Sequence, residues 1–301
     1  LRKMTSPPSR MLKKLVLRVP DENPSLHDQK DLTEASDQLF MESVCSKETK
    51  LSHVIFQVFY FFLFLGPIRM VAAALLGVAS GVFAIITEKL GIVDHPLCYL
   101  VHRVLFRGIV FFLGQVKIVV KGDIDPNSRI FISNHIGFND PFYMILRMAM
   151  APISKIELDQ NPFFGPIIRS STSLFVDRTH PCGLTKVVKE RAADHKDYPL
   201  YIFPEGTTTN GEVMLKFHCG SFVSDEQVQP LALRLYVPFV PKGWNTPAWI
   251  QPSFAAHIFA LLSLPPNIVV IEPLKPMHLK DYKDPTEFAN AAHLVLANHL
   301  G

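Results

Sequence analysis

Arg129-Ile130-Phe131-Ile132-Ser133-Asn134-His135-Ile136-Gly137-Phe138-Asn139-Asp140-Pro141 is the stretch on which the fold turns. Its first five residues are rich in β-branched and aromatic types and read as a strand. Polar residues and Gly137 break the run, and Pro141, tolerated in the first turn of a helix, opens a helix expected over 141–150. Flanking runs repeat the unit. Strands are expected at Val116-Lys117-Ile118-Val119-Val120, at Ser173-Leu174-Phe175-Val176, at Leu200-Tyr201-Ile202-Phe203, and over Val228 to Leu235, Val237 to Val240 and Ile268 to Ile271. Helices are expected over Val101 to Leu113, Leu184 to Asp194 and Phe288 to Leu300. The fold class that follows is α/β: an open, mixed or mostly parallel sheet flanked by helices. In such sheets active groups gather at the carboxyl ends of strands.

Upstream the composition changes. Val54 to Leu65 is almost wholly apolar, Gly66-Pro67 interrupts it, and Met70 to Thr87 runs 18 residues without a charge. Two short apolar runs about a Gly-Pro break predict a membrane-embedded helical hairpin over residues 51–91, with Arg69 at the break snorkelling or paired. A single span over 70–87 and a buried soluble helix pair are the competing readings. Residues 1–50 are a polar leader, basic at Arg2, Lys3, Arg10, Lys13, Lys14 and Arg18 and then acidic, expected to be disordered. Residues 92–301 form the third part, an α/β domain.

The formal net charge is +3 and charged residues make up 19% of the chain, which excludes a nucleic-acid binder working by bulk charge. Hydrophobic residues at 48% exclude disorder for most of the chain. Cys45, Cys98, Cys182 and Cys219 are widely spaced and form no CxxC, so neither a zinc site nor a disulfide framework is expected.

Two polar stretches carry chemistry. In Asn134-His135-Ile136-Gly137-Phe138-Asn139-Asp140 the histidine and aspartate are five positions apart. On a continuous helix that spacing would separate them by about 140°. On a turn entering a helix they can meet, with Gly137 supplying the bend, and an imidazole held by a carboxylate is a general base of fixed tautomer. Phe203-Pro204-Glu205-Gly206-Thr207-Thr208-Thr209-Asn210-Gly211, about 70 residues on, also follows a strand and suits a nest of N–H groups for a phosphate or polar head group. Each stretch alone is commonplace; the pair in one chain is specific.

With these residues in place, the chain resembles the glycerolipid acyltransferase family. His135 and Asp140 match its first motif, Ser173-Leu174-Phe175-Val176-Asp177-Arg178 its second, Phe203-Pro204-Glu205-Gly206-Thr207 its third and Val228 to Arg234, around Pro230, its fourth. Gly66-Pro67-Ile68-Arg69 and the C-terminal tail resemble the lysophosphatidylcholine acyltransferase branch. The resemblance implies an acyl-CoA-dependent lysophospholipid O-acyltransferase, with His135 as base, Asp140 orienting it, backbone N–H groups near the first motif holding the oxyanion, and no covalent intermediate. It implies substrate-binding roles for Arg178, Glu205, Gly206, Thr207, Thr208, Lys155 and Phe175, with Glu205 positioning the glycerol or bracing its loop. Acyl-CoA is co-substrate, no other cofactor and no metal is required, and the implied partners are acyl-CoA, lysophospholipid and the bilayer, not nucleic acid. The implied location is the endoplasmic reticulum membrane with the catalytic domain on its cytosolic face. Two departures bear on specificity. Members acting on lysophosphatidic acid commonly carry Arg after Glu-Gly-Thr, where this chain has Thr208, which favours lysophosphatidylcholine or lysophosphatidylethanolamine. The second motif also lacks its leading Gly, with Ser171-Thr172 near that place. The acidic run Asp281-Tyr282-Lys283-Asp284-Pro285 lacks a loop glycine, so no calcium loop is expected there. The rivals are a 1-acylglycerol-3-phosphate acyltransferase and a non-enzymatic membrane-hairpin scaffold retaining the fold.

Overall fold

The structure, a computed structural model, describes residues 51–92, 95–148, 150–162, 164–171, 173–176, 181–195, 198–209, 211, 213–238, 240, 248, 249 and 253–301. The polar leader and Arg178 lie outside the described residues. The elements in chain order are α1 (Leu51–Leu63), α2 (Gly66–Lys89), α3 (Pro96–Phe112), β1 (Gln115–Val120), β2 (Ile130–Ser133), α4 (Asp140–Arg147), β3 (Ala151–Lys155), α5 (Ile156–Asp159), α6 (Phe164–Ser170), β4 (Leu174–Val176), α7 (Pro181–Ala193), β5 (Leu200–Ile202), β6 (Val228–Tyr236), α8 (Phe254–Leu262), β7 (Asn267–Pro273) and α9 (Pro285–Leu300).

The strands form one mixed sheet in the order β1-β7-β6-β2-β5-β3-β4. β6, β2, β5, β3 and β4 are mutually parallel, β7 runs antiparallel to β6, and β1 is parallel to β7. The carboxyl ends of five strands therefore share one edge, and both polar stretches leave the sheet there.

Alternation along the strands feeds two cores. Ile130, Ile132, Leu200 and Ile202 pack with Val188 and Ala192 of α7 and Phe288, Ala292 and Leu296 of α9. Phe131, Tyr201, Leu231 and Val269 face the other way, against Phe106 and Val110 of α3, Tyr143 and Met144 of α4, and Ala84 of α2. The expected α/β class holds, with helices on both faces.

Several features depart from the expected elements, among them the short helices α5 and α6. Val237 to Val240 is no strand among its described residues, because Pro238 has no N–H to give to a ladder. β3 was not expected, since Pro152 and two polar residues disguise a short strand; its two halves pair with β5 and β4 in turn. α8 lies in a segment with no assigned element, capped by Ser253, whose hydroxyl accepts from the Ala256 N–H at 3.2 Å. The acidic run near 284 is a helix start: Asp284 Oδ1 accepts from the N–H groups of Thr286 and Glu287 at 2.8 and 2.9 Å.

Among the described residues α2 is the one helix long and apolar enough to cross a membrane, with mean hydropathy 2.3 over 18 residues. The large exposed apolar side chains crowd α1, α2 and α3, from Phe59 and Phe62 through Leu75 and Val82 to Leu100 and Val104. Leu65, with φ 56°, turns the chain between α1 and α2. Arg69 follows. Its Nε donates to the Phe112 carbonyl at 2.9 Å, and its Nη1 to the carbonyls of Leu264, Leu262 and Phe64 at 3.1, 3.2 and 3.4 Å. It is paired, and its partners are the ends of α1, α3 and α8, where helix carbonyls lack intrahelical donors and the macrodipole is negative.

Candidate active site

β2 ends in Ser133, and the next residue begins the site. Asn134 extends the sheet by its side chain: its Nδ2 donates to the Leu233 carbonyl at 3.0 Å and its Oδ1 accepts the Leu233 N–H at 2.9 Å. The backbone is thereby free to leave the ladder at His135.

Asp140 then gathers the turn. Its Oδ2 accepts from His135 Nδ1 at 2.9 Å and from the N–H groups of Ile136 and Gly137 at 2.7 and 2.9 Å. A carboxylate only accepts, so Nδ1 bears the proton and Nε2 is the basic nitrogen. The Asp140 side chain is 1% exposed and that of His135 17%, so the anion is shielded while the imidazole is reachable. The imidazole also stacks on Phe203, with centroids 3.8 Å apart and planes at 16°. Carboxylate and phenyl ring together fix the ring orientation. Gly137 is not in the left-handed conformation, and it contributes its N–H to the turn.

The third-motif stretch binds this turn. Glu205, 3% exposed, accepts the His135 backbone N–H on Oε1 at 2.9 Å and the Leu215 N–H on Oε2 at 2.8 Å. Burial pushes its carboxyl up to about 8, against the lowering effect of those two N–H bonds. Glu205 braces the loop. The Thr209 N–H donates to the His135 carbonyl at 2.8 Å, and the Trp249 N–H to that of Ile136 at 2.8 Å. Gly206 sits at φ 76° with His218 ring atoms 3.2 Å from where a Cβ would be, so no other residue fits without strain. Next to the turn, the Phe138 ring meets Phe254 and His257 of α8 edge-on, and His257 stacks on Trp249 at 5.2 Å. Burial lowers the His257 imidazole to about 4 and keeps it neutral.

His135, Asp140, Glu205 and Gly206 thus converge. Thr207 is exposed and Thr208 half-buried on the same loop. Lys155 is exposed at the end of β3, two strands from β2 or about 10 Å across the sheet. Half-buried Phe175 lies on the edge strand β4, opposite Ser154. Neither makes a hydrogen bond to the His135 turn among the described residues. The N–H groups of His135, Ile136 and Gly137 are taken up by carboxyl oxygens of Glu205 and Asp140. Asn134 and Thr209 lie inside the two quoted stretches without a role of their own in the sequence reading, and nothing in sequence ties Trp249 to Ile136.

An imidazole with one nitrogen held by a buried carboxylate and the other free can take a proton from an approaching hydroxyl. Residues 117–243 match the family model described as Acyltransferase. That match, together with the relatives below, supports the glycerolipid acyltransferase family. It is similar to lysophospholipid acyltransferase LPCAT4 of Mus musculus, 30% identical over 206 residues that cover 65% of this chain and 39% of that protein. It is similar to lysophospholipid acyltransferase LPEAT2 of Arabidopsis thaliana, 32% identical over 48% of this chain and 28% of that protein. It is also similar to lysophosphatidylcholine acyltransferase 2 of Homo sapiens, 26% identical over 78% of this chain and 46% of that protein. The chain thus spans less than half the length of these curated relatives. Among solved structures, the 1-acyl-sn-glycerophosphate acyltransferase PlsC of Thermotoga maritima matches with a TM-score of 0.49 at 18% identity, over 83% of this chain and 95% of that one.

Proposed function

We propose that the chain transfers an acyl group from acyl-CoA to the free glycerol hydroxyl of a lysophospholipid, with lysophosphatidylcholine or lysophosphatidylethanolamine favoured over lysophosphatidic acid. The observation that carries this reading is the 2.9 Å contact between His135 Nδ1 and Asp140 Oδ2 in a turn that leaves Nε2 free among the described residues. Nε2 takes the proton of the glycerol hydroxyl as its oxygen attacks the thioester carbonyl. The tetrahedral intermediate collapses, the C–S bond breaks, and the departing thiolate of CoA takes the proton back from the imidazolium. Asp140 stabilises the imidazolium in between. The names of the matched relatives support a lysophospholipid acceptor. Thr208 supports the head-group preference, since a phosphate monoester bound there lacks a charge-assisted contact. Apolar α1 and α2 support attachment to a bilayer, which we place at the endoplasmic reticulum with the catalytic domain on the cytosolic side.

The test is the initial rate of CoA thiol release from one acyl-CoA with lysophosphatidylcholine, lysophosphatidylethanolamine and lysophosphatidic acid in turn. Release that depends on the first two, and is lost in His135→Ala, is the expected result. Thr208→Arg is expected to move the ratio of rates about ten-fold towards lysophosphatidic acid. Thiol release independent of lysolipid overturns the acyltransferase reading. A wild-type preference for lysophosphatidic acid overturns the head-group reading alone.

A further inference from the structure

The helix α3 presents two surfaces to solvent side by side. At about 100° per residue, Leu97, Leu100, Val104 and Phe111 fall within a sector of about 60°. They are 60, 53, 64 and 46% exposed. Arg107 and Arg103 lie about 20° and 60° beyond one border of that sector. The opposite side of the helix, with Phe106 and Val110, is in the core.

Beside the arginines runs a groove of about 540 Å³, lined by Arg103, Arg107, Lys117 and Arg147 together with Leu100 and Val104. Its floor is β1, the edge strand of the sheet. Arg107 donates to the carbonyls of Gln115 and Val116 at 3.3 and 2.7 Å, and Arg103 to that of Leu146 at 2.5 Å. Arg147 donates to the Ile118 carbonyl through Nε at 3.0 Å and through Nη2. Each guanidinium is held by neutral carbonyls that use one or two of its five donors. Lys117 is exposed. Among the described residues none of the four cations has a carboxylate partner, and no carboxylate lines the groove.

We propose that this groove binds the phosphate of an anionic phospholipid whose acyl chains lie along the exposed apolar stripe of α3. Four uncompensated cations at the border of an apolar surface match a ligand that is anionic at one end and apolar at the other. Arginine at such a border keeps its head in the polar layer while its stem lies on apolar surface. The stripe continues the exposed apolar face of α2, against which α3 packs: a Cβ at Gly108 would come within 2.7 Å of Leu76 Cδ1. A wholly polar phosphate such as a nucleotide would leave that stripe unused. The groove is three strands from β2, about 14 Å across the sheet from the His135 turn. The proposal does not rest on acyl transfer, because binding is read without turnover.

The experiment uses the purified full chain in a neutral detergent, with dioleoyl phosphatidylglycerol or dioleoyl phosphatidylcholine added and retained lipid counted by native mass spectrometry. Wild type is expected to retain phosphatidylglycerol over phosphatidylcholine. Lys117→Gln, at an exposed side chain with no hydrogen bond among the described residues, is expected to lower that retention about five-fold, and Arg107→Gln with Lys117→Gln about 25-fold. Lys186→Gln with Lys189→Gln removes the same charge from α7, on the other side of the sheet, and is expected to change nothing. Equal retention of the two lipids means that the arginines only cover the sheet edge, and overturns the proposal. Equal loss in the α7 variant means diffuse charge, and also overturns it. Displacement of phosphatidylglycerol by adenosine 3′,5′-bisphosphate from wild type would assign the groove to a soluble nucleotide instead of a lipid.

Discussion

Two charged side chains hold two turns of this molecule, and they do so by opposite means. Asp140 takes two N–H groups and an imidazole N–H from its own loop, all within five residues of it. Arg69 gives its N–H groups to carbonyls 5, 43, 193 and 195 residues away, at the ends of three helices. The first arrangement orients one imidazole within its own turn. The second ties the apolar helices α1 and α2 to α3 and α8, and α8 in turn touches Phe138 beside the histidine. The anion therefore orders one turn and the cation joins separate elements, and under the proposed function substitutions at the two should separate rate from stability.

The largest effect is expected at the first turn. His135→Ala should lower kcat by at least about 10³, as removal of a general base does, with thermal stability within a few degrees of wild type. Asp140→Asn should cost less in rate and leave KM near normal, since an amide still accepts from N–H groups but stabilises the imidazolium poorly. A His135→Ala protein with more than a tenth of wild-type turnover would break the comparison on its catalytic side. The second effect is expected at Arg69. Arg69→Gln leaves carbonyls at three helix ends without a charged donor, a loss of about 3 kcal/mol. For a domain of this size that lowers Tm by about 6–12 °C. Turnover per folded molecule should stay within about three-fold. A large fall in kcat with Tm unchanged would show that Arg69 serves the reaction directly.

The same contrast explains what was legible in the sequence. The strand, the turn and the His135–Asp140 pair could be read because all their partners are neighbours in the chain. Arg69 could be recognised as a costly charge in an apolar segment, and pairing was foreseen, but its partners could not be. Asn134 and Leu233, 99 positions apart, meet only because β2 and β6 are adjacent in the sheet. Thr209 was one hydroxyl among three until the fold laid its N–H against the His135 carbonyl. The strand at Ala151–Lys155 is hidden by Pro152, and the strand expected at Val237 to Val240 is excluded by Pro238; in both, one proline outweighed the apolar pattern. Lys155 and Phe175 reach the right edge of the sheet but stand on strands outward of the site.

A third effect, of about 1–2 kcal/mol, is expected at the loop that braces the first turn. Gly206→Ala forces a side chain into φ 76° with the His218 ring 3.2 Å away. The strain should appear as a Tm lower by about 2–8 °C and, because Glu205 precedes it, as a loss of rate. Unchanged Tm with wild-type turnover would mean that the bracing loop relaxes without moving the histidine.

The smallest effect concerns the brace itself and depends on pH. A carboxyl ordinarily titrates near 4.3, and that of Glu205 is pushed up to about 8 by burial. Between those values the folded chain holds a proton that the unfolded chain has released. Stability from this group is therefore fully present below about pH 4 and is lost as pH rises towards 8, above which the buried charge bears its whole desolvation cost. Glutamine cannot titrate, and its amide offers one accepting atom where Glu205 offers two, so either the His135 or the Leu215 N–H loses its partner. Glu205→Gln should then be less stable than wild type by about 1 kcal/mol at pH 5. The gap should narrow or reverse by pH 9, where only the wild type carries the buried anion. Thermal unfolding of the two proteins at pH 5, 7 and 9 measures this. A gap that stays constant across the series would place the Glu205 titration outside this range and leave the carboxylate charged while it holds the histidine.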